Sequence, residues 1–396
     1  MAGYSVTAQD RKSRVRKKWS LLMKILHIGE YVNGGVATYL KTLIEDCKEN
    51  DVEQYLLMSS YKSEKKWKMD KTKIKFYKYK RNIINIFLSM IKIQSYIKKI
   101  RPDIIHIHSS WAGVMVRIPY VFKKKDVKII YTPHGWAFLM ENSVWKKKSY
   151  AIIEKALSFV TDKIINISKY EQNRAIEYGI DSCKMQVIYN GVKGICYKSN
   201  KTINMKKEKI NLLFVGRLDY QKGLDAFLKI YYQDEFPRLH LYVVGTGVLN
   251  ESEMRNDSKT TYVGWVDNQE IDSYYQACDA VIMPSRWEGF GLTAIEAMRN
   301  KKTVIASNRG ALPEIVDDCG YIFDFDSKSQ LIKILNNLNV NKLKKLGEKG
   351  YERYLRLFNS QKFLNETIAL EKSVCQNSDE IKNEELLQDE INKSVY

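Results

Sequence analysis

No two of the six cysteines stand in a Cys-x-x-Cys pair. The scattered set Cys47, Cys183, Cys196, Cys278, Cys319 and Cys375 suggests neither a disulfide framework nor a zinc ribbon, and it suits a reducing cytoplasm. No apolar run approaches the roughly 18 residues of a spanning helix. The amino end is basic but lacks an apolar stretch leading to a small-residue cleavage site, so no secretory signal is expected and any membrane contact should be peripheral. Acidic residues are also short: 46 Asp and Glu face 65 Lys and Arg, a net charge of +19. The deficit is concentrated. Residues 61–101 carry 14 basic side chains against Glu64 and Asp70, and residues 11–18 carry six and no acid. Such a surface suits an anionic membrane face, a phosphorylated lipid or nucleic acid, or is simply a solvated lysine-rich surface.

What is present is a chain long enough, at 396 residues, for two domains, with an ordinary 44% hydrophobic content. Its organising stretch runs from Cys278 to Met298. Cys278-Asp-Ala-Val-Ile-Met283 has the apolar continuity of a buried parallel strand, and Leu292-Thr-Ala-Ile-Glu-Ala-Met298 that of a helix. The glycine-rich loop between them stands where open α/β sheets bind ligands, and the helix start offers N–H groups to an anion. Glu288 lies in the loop and Glu296 a turn inside the helix. On geometry alone they are either the two ends of a ligand site or a surface pair.

Similar strand–loop–helix units recur. Met23-Lys-Ile-Leu-His-Ile28 is followed by a loop with Gly34-Gly35 and an amphipathic helix near 37–48; this is a phosphate cradle or a tight βα turn. Tyr55-Leu-Leu-Met-Ser59 is a second strand, and 83–100 an amphipathic helix with a basic rim, which either lies on anionic lipid or packs on the sheet with its polar face wet. Pro102-Asp-Ile-Ile-His-Ile-His108 puts His106 and His108 on one strand face; no third metal ligand is apparent, so no metal is expected. Lys128-Ile-Ile-Tyr-Thr-Pro-His-Gly135 ends with His134 at a strand's carboxyl end. Asn190-Gly191 is a turn pair. Residues 196–209, polar and lysine-rich, read as a linker. Beyond them, Val215-Gly-Arg-Leu-Asp-Tyr-Gln-Lys-Gly223 sets Arg217 and Lys222 at a strand exit, two cations suited to a diphosphate. Asp324-Phe-Asp326 reads as a loop. The spacing predicts two sheets, over about 23–195 and 210–370, with a basic tail at 1–22 and a polar acidic tail at 371–396.

The setting Pro284-Ser-x-x-Glu288-Gly-Phe-Gly-Leu-x-x-x-Glu296-Ala, with Val215-Gly-Arg-Leu-x-x-x-Lys-Gly223 before it, closely resembles the donor-site signature of retaining glycosyltransferase family 4, the glycosyl transferases group 1. The likeness runs from about Met23 to Leu370, with the motifs in the family's order. It implies an α/β GT-B fold, two Rossmann-like parallel-sheet domains facing across a cleft, the first on the acceptor side and the second binding the donor. It implies a metal-independent hexosyltransferase without a cofactor. In that reading Glu296 holds ribose hydroxyls, Arg217 and Lys222 the diphosphate together with backbone N–H of Phe290, Gly291 and Leu292, and Gly34 and Gly35 approach the diphosphate. Glu288 and His134 hold the sugar as it reacts, and residues 263–266 lie by the base. Gly310-Ala311 stands where the family often has Gly-Gly. The expected partners are a nucleotide sugar, UDP-sugar foremost, a glycan or lipid-linked acceptor of surface polysaccharide assembly, and an anionic membrane surface, with no nucleic acid. The expected location is the cytoplasmic face of the membrane. The alternatives are a sugar-nucleotide 2-epimerase on the same fold, or a non-catalytic membrane or polyanion binder.

Overall fold

The computed structural model describes residues 22–376 apart from 80, 124, 196–201, 248–255 and 268. The basic tail, the first part of the linker with Cys196, and the acidic tail from 377 lie outside the described residues.

Among the described residues, thirteen strands build two parallel sheets. The first contains β1 (Met23–Gly29), β2 (Val52–Ser59), β3 (Ile74–Tyr77), β4 (Ile104–His108), β5 (Lys128–Thr132), β6 (Lys163–Asn166) and β7 (Met185–Val187), in the order 3-2-1-4-5-6-7. The second contains β8 (Ile210–Val215), β9 (Leu239–Val244), β10 (Thr260–Gly264), β11 (Ala280–Met283), β12 (Thr303–Ser307) and β13 (Gly320–Phe323), in the order 10-9-8-11-12-13. Both follow the doubly wound order in which the chain runs outward from a central strand, then returns to that centre and runs the other way. The inner strands are buried because helices cover both faces: every residue of β4, β9, β11 and β12 is buried.

By compactness the chain divides into two units. One comprises 22–133, 156–164 and 368–376; the other comprises 134–155 and 165–367. β6 straddles the division and β7 falls in the second unit.

Two elements escape a reading by pattern. β3 lies in the lysine-rich region, and its Lys75 and Phe76 are exposed. It is an edge strand, where lysine discourages pairing with another chain and an apolar signature is not required. The helix Ser110–Val121 carries Pro119 inside it, which masks its helical pattern. At the other end, residues 371–376, read above as the start of a polar tail, continue a helix that begins at 360. Glu371 is buried in the first unit and Lys372 bridges Glu49 and Asp51 there.

Glu371 belongs to a buried histidine cluster. His106 and His108 do share a face, and β1 supplies the third imidazole that the sequence did not reveal. His27 is in register with His106, and the three rings meet. The Gln54 amide donates to the Leu43 carbonyl, so its oxygen accepts from His27 Nε2 at 3.0 Å. His27 Nδ1 therefore accepts from His108 Nε2 at 3.1 Å. His106 Nδ1 lies 2.8 Å from the Glu371 carboxyl and Nε2 2.9 Å from the Thr132 hydroxyl. Burial drives the His27 imidazole down to about 4 and the His106 imidazole to about 3, and lifts the Glu371 carboxyl to about 7. At neutral pH the His27 and His106 rings are uncharged and hydrogen-bonded. A metal would have to break those bonds to bind, and the cluster is accounted for as a polar seam that fastens the last helix to the sheet.

Candidate active site

The second unit brings together the loops after β8 and β11, the loop from His134 and the start of the helix Lys169–Glu177. β11 delivers Pro284 to Gly291 to the sheet's carboxyl edge, and the helix Leu292–Arg299 begins at Gly291 with no side chain capping it. Its first N–H groups are thus left to an anion or water. Phe290 is buried against Tyr189 and Phe358 and anchors the loop.

Glu288 and Lys222 face one another. Lys222 Nζ is 2.6 Å from Glu288 Oε2, with both side chains less than a fifth exposed. Two residues assigned on resemblance to different parts of the donor form one ion pair. Lys222 is held by a short turn, Tyr220–Lys222, capped by Asp219. Arg217 on the same turn is 69% exposed, with its guanidinium 3.1 Å from both Asp219 and Gln221. It is a tethered cation with its head in water. Glu296 is half-buried, accepts from the Tyr275 hydroxyl at 2.9 Å, and has its carboxyl pushed above the ordinary range by burial.

Arg286, which the sequence reading passed over, locks the two loops together. It makes two 2.7 Å bonds to Asp225, lies 3.8 Å over the Tyr220 ring, and donates its backbone N–H to the Gln221 carbonyl. The Gln221 amide donates to the Trp287 carbonyl. The loops are also glycine-limited. Gly223 has φ 68°, and a Cβ there would stand 1.9 Å from the Pro284 carbonyl oxygen.

Gly310, at φ 63°, sits on the backbone of Glu288: a Cβ would lie 2.0 Å from the Glu288 oxygen, and the Ala311 N–H donates to that same oxygen. Ala311 has φ −82°, which any residue adopts. Of the expected Gly-Gly, this chain keeps the glycine at the position that needs it. Gly310→Ala should therefore destabilise by about 2 kcal/mol or more, while Ala311→Gly costs about 1 kcal/mol or less; denaturant titration checks both.

His134 has φ 53° and Gly135 φ 104°, a left-handed pair after β5. Under them lies Glu171, fully buried, which sequence reading also missed. Its Oε2 accepts from the Ile167 N–H at 3.4 Å. A Cβ on Gly289 would come within 3.1 Å of its Oε1 and 3.6 Å of the Gly135 Cα. Ser168, which caps this helix, donates its hydroxyl to the Gly289 carbonyl at 3.2 Å. The His134–Gly135 loop and the Glu288 loop therefore meet over Glu171. The detectable signal was Ser168-x-x-Glu171, a capping box just before a helix. Gly34 and Gly35 lie in the other unit, at the start of the helix Gly35–Glu45. Near β10, Trp265 is 67% exposed beside Gly264, in the stretch expected by the base. Asp324 and Asp326 occupy a turn bonded to Asn308 and Arg309, as a loop should.

Two Rossmann-ordered sheets, the second with its strand-edge cations and carboxylates, define the GT-B class of glycosyltransferase fold. Known proteins narrow this further. The Glycosyl transferases group 1 family matches residues 197–353, and Glycosyltransferase Family 4 matches residues 33–193. The chain is 36% identical to an uncharacterized 41.2 kDa protein in the cps region of Klebsiella pneumoniae, over 89% of this chain and all of that one. It is 30% identical to an uncharacterized glycosyltransferase of Methanocaldococcus jannaschii, over 84% of this chain and 93% of the relative. An O-antigen biosynthesis glycosyltransferase of Escherichia coli, WbnH, is 28% identical over 60% of this chain and 68% of its own. Among solved structures, Anabaena Alr3699/HepE in complex with UDP superposes with a TM-score of 0.71 at 16% identity, covering 89% of this chain and all of that one. The chain belongs to the family 4-like glycosyltransferases.

Proposed function

We propose that this glycosyltransferase moves a hexosyl group, with retention and without a metal, from a UDP-sugar to a glycan or lipid-linked glycan in bacterial surface polysaccharide synthesis. The reading is carried by one observation: Lys222 and Glu288 paired at 2.6 Å, with Arg217, Glu296 and an uncapped helix start on the same strand edge. The cps-region and O-antigen relatives support the process, and a structural neighbour holding UDP supports the donor.

In this mechanism Glu296 accepts from the ribose hydroxyls. Arg217 and Lys222, with the N–H groups of Phe290, Gly291 and Leu292, hold the diphosphate and take up the charge that grows on it as the anomeric C–O bond breaks. That is the electrostatic duty a metal performs elsewhere. Donor binding draws Lys222 toward phosphate and frees Glu288 for the sugar hydroxyls and the cationic anomeric carbon. The acceptor hydroxyl adds on the face the diphosphate leaves, and its proton passes to the leaving phosphate oxygen. His134 borders the sugar. A pair of carboxylates flanking one bond is not needed, since Glu296 serves the nucleoside. The 2-epimerase alternative predicts inversion at C2 of a donor and no glycoside product.

Thermal denaturation with UDP, GDP, ADP and CMP tests the donor site. UDP should raise the melting temperature of the wild type and not of Lys222→Ala, because a ligand of the native state stabilises by mass action. If no nucleotide moves the wild type, the donor assignment fails.

The helix Ile83–Ile100 supports a location at the inner membrane face. Ile93 and Ile97 are buried, whereas Ile84, Phe87, Leu88 and Ile91 are between 54% and 74% exposed. The outward stripe is therefore apolar in its first half, not polar as a helix packed on a sheet would have it. It ends in exposed Lys98 and Lys99. Apolar anchors followed by lysines complement an anionic bilayer, and no helix among the described residues is long and apolar enough to cross one. Changing all four anchors to serine should abolish sedimentation with phosphatidylglycerol vesicles. Equal binding by the variant, or equal binding to neutral phosphatidylcholine vesicles, would show that the stripe is not an anionic-membrane contact.

A further inference from the structure

Three strand ends in the first unit converge on a group of side chains that the donor chemistry does not use. Glu30 and Tyr31 follow β1, Tyr61 and Lys62 follow β2, and Tyr79 and Arg81 follow β3. Backbone bonds stitch the ends together. The Ser59 N–H and the Ser63 hydroxyl both donate to the Glu30 carbonyl, Ser60 N–H donates to the Tyr77 carbonyl, and the Tyr77 hydroxyl donates to the Gly29 carbonyl at 2.9 Å.

Within this frame the Glu30 carboxylate is 4% exposed and takes both arms of Arg81, at 2.7 and 3.1 Å, while Arg81 itself is 56% exposed. The guanidinium lies 5.0 Å over the Tyr31 ring. Tyr31 in turn meets Tyr61 edge-on at 5.7 Å and Tyr79 at 6.0 Å. Tyr61 keeps 44% of its surface in solvent, and Lys62, in a left-handed conformation, lies over its ring.

Sinking a carboxylate is costly even when it is paired, so a strand joint gains little stability from it. A bidentate carboxylate–guanidinium pair rimmed by tyrosines has a clear binding chemistry. Tyr61 and the half-buried Tyr31 offer ring surface to the C–H side of a pyranose, Tyr79, 2% exposed, packs against Tyr31, and the exposed Arg81 fork, held by Glu30, donates to neighbouring hydroxyls. The pair is neutral overall and so favours an uncharged sugar. The carboxyl edge of a doubly wound sheet is also where its ligands bind.

We infer that Glu30, Tyr31, Tyr61, Tyr79 and Arg81 form a subsite for a neutral hexopyranose, the terminal sugar of the acceptor. The assignment rests on the glycosyltransferase reading above. Arg81 directly precedes Asn82, the N-cap of the helix with the apolar outer stripe. A bilayer touching that stripe would hold the headgroup sugar of a lipid-linked acceptor at the depth of the subsite.

The experiment is saturation-transfer NMR on the full chain with octyl glucoside, octyl galactoside and octyl N-acetylglucosaminide, each below its micelle concentration. At least one glycoside should receive saturation through its ring protons. Tyr61→Ala and Arg81→Ala should weaken it at least fivefold, and Arg81→Lys, which keeps the charge but loses the fork, should weaken it to an intermediate degree. No saturation from any of the three, or equal saturation in both alanine variants, overturns the subsite. The UDP melting shift is recorded on the same samples. UDP binding without glycoside binding rejects this inference alone. Glycoside binding lost on Tyr61→Ala, with no nucleotide shift, rejects the donor reading alone.

Discussion

Lys222→Ala should lower the catalytic efficiency of sugar transfer by about 10²–10³-fold, the usual loss when one donor to a developing charge is removed. The ion pair makes the experiment more informative than a single deletion. Removing Lys222 also leaves Glu288, only 12% exposed, with its carboxylate unpaired. The variant should therefore lose about 1–3 kcal/mol of stability as well. Glu288→Gln should impair the rate while leaving UDP binding intact, as the proposed role at the sugar requires. The double variant Lys222→Ala with Glu288→Gln should regain much of the lost stability and none of the activity. If it recovered activity, the two side chains would be a structural pair and not donor groups. A conservative Lys222→Arg separates charge from placement: it keeps the cation, and its rate loss should fall between wild type and alanine.

Glu171 should give the protein a stability that falls with pH. Burial, the largest cause, lifts its carboxyl to about 8, against about 4.5 in the unfolded chain. Between those values the unfolded chain has released the proton and the folded chain retains it. The stabilising contribution is complete below about pH 4.5, declines through the neutral range and is lost as the pH passes 8. Glu171→Gln keeps the shape and removes the titration. Its denaturation midpoint should match that of the wild type near pH 4.5 and exceed it at pH 8.5. Glu171→Ala should lower it at both, because the Ile167 N–H loses its acceptor and the space under Gly135 and Gly289 is emptied. A positioning role for Glu171 adds a kinetic signature. The alanine variant, with the His134–Gly135 loop and the Gly289 backbone no longer held together, should lose kcat with little change in the KM for the donor. An identical pH profile of stability in wild type and Gln variant would mean that Glu171 does not titrate where its burial requires.

Much of the site could be read from local sequence because its parts are strand exits. Arg217, Lys222 and the Glu288–Glu296 loop each follow an apolar run whose continuity marks a buried parallel strand, and a doubly wound sheet sends all such exits to one edge. The residues that were missed act through contacts distant in sequence. Arg286 looks like one more surface arginine until Asp225 and Tyr220 are found around it. His27 sits in an apolar strand 79 residues before His106, and only the register of β1 with β4 joins them. β3 was hidden because an edge strand can be lysine-rich, and the outer face of the helix Ile83–Ile100 because its periodicity cannot tell which side the sheet takes.

The sequence by itself determined the two sheets, their strand–helix alternation, the family and which residues stand at the carboxyl edge of the second sheet. These depend on local runs of apolar and glycine residues, which dictate backbone conformation wherever they occur. The tertiary structure alone decided that Lys222 pairs with Glu288, that Gly310 and not Ala311 carries the steric demand, that Glu171 lies beneath two loops, and that three strand ends gather tyrosines around Glu30 and Arg81. Each is a matter of distance between residues far apart in the chain. Such distances are set by the register of strands and the packing of helices, to which no single segment holds the information.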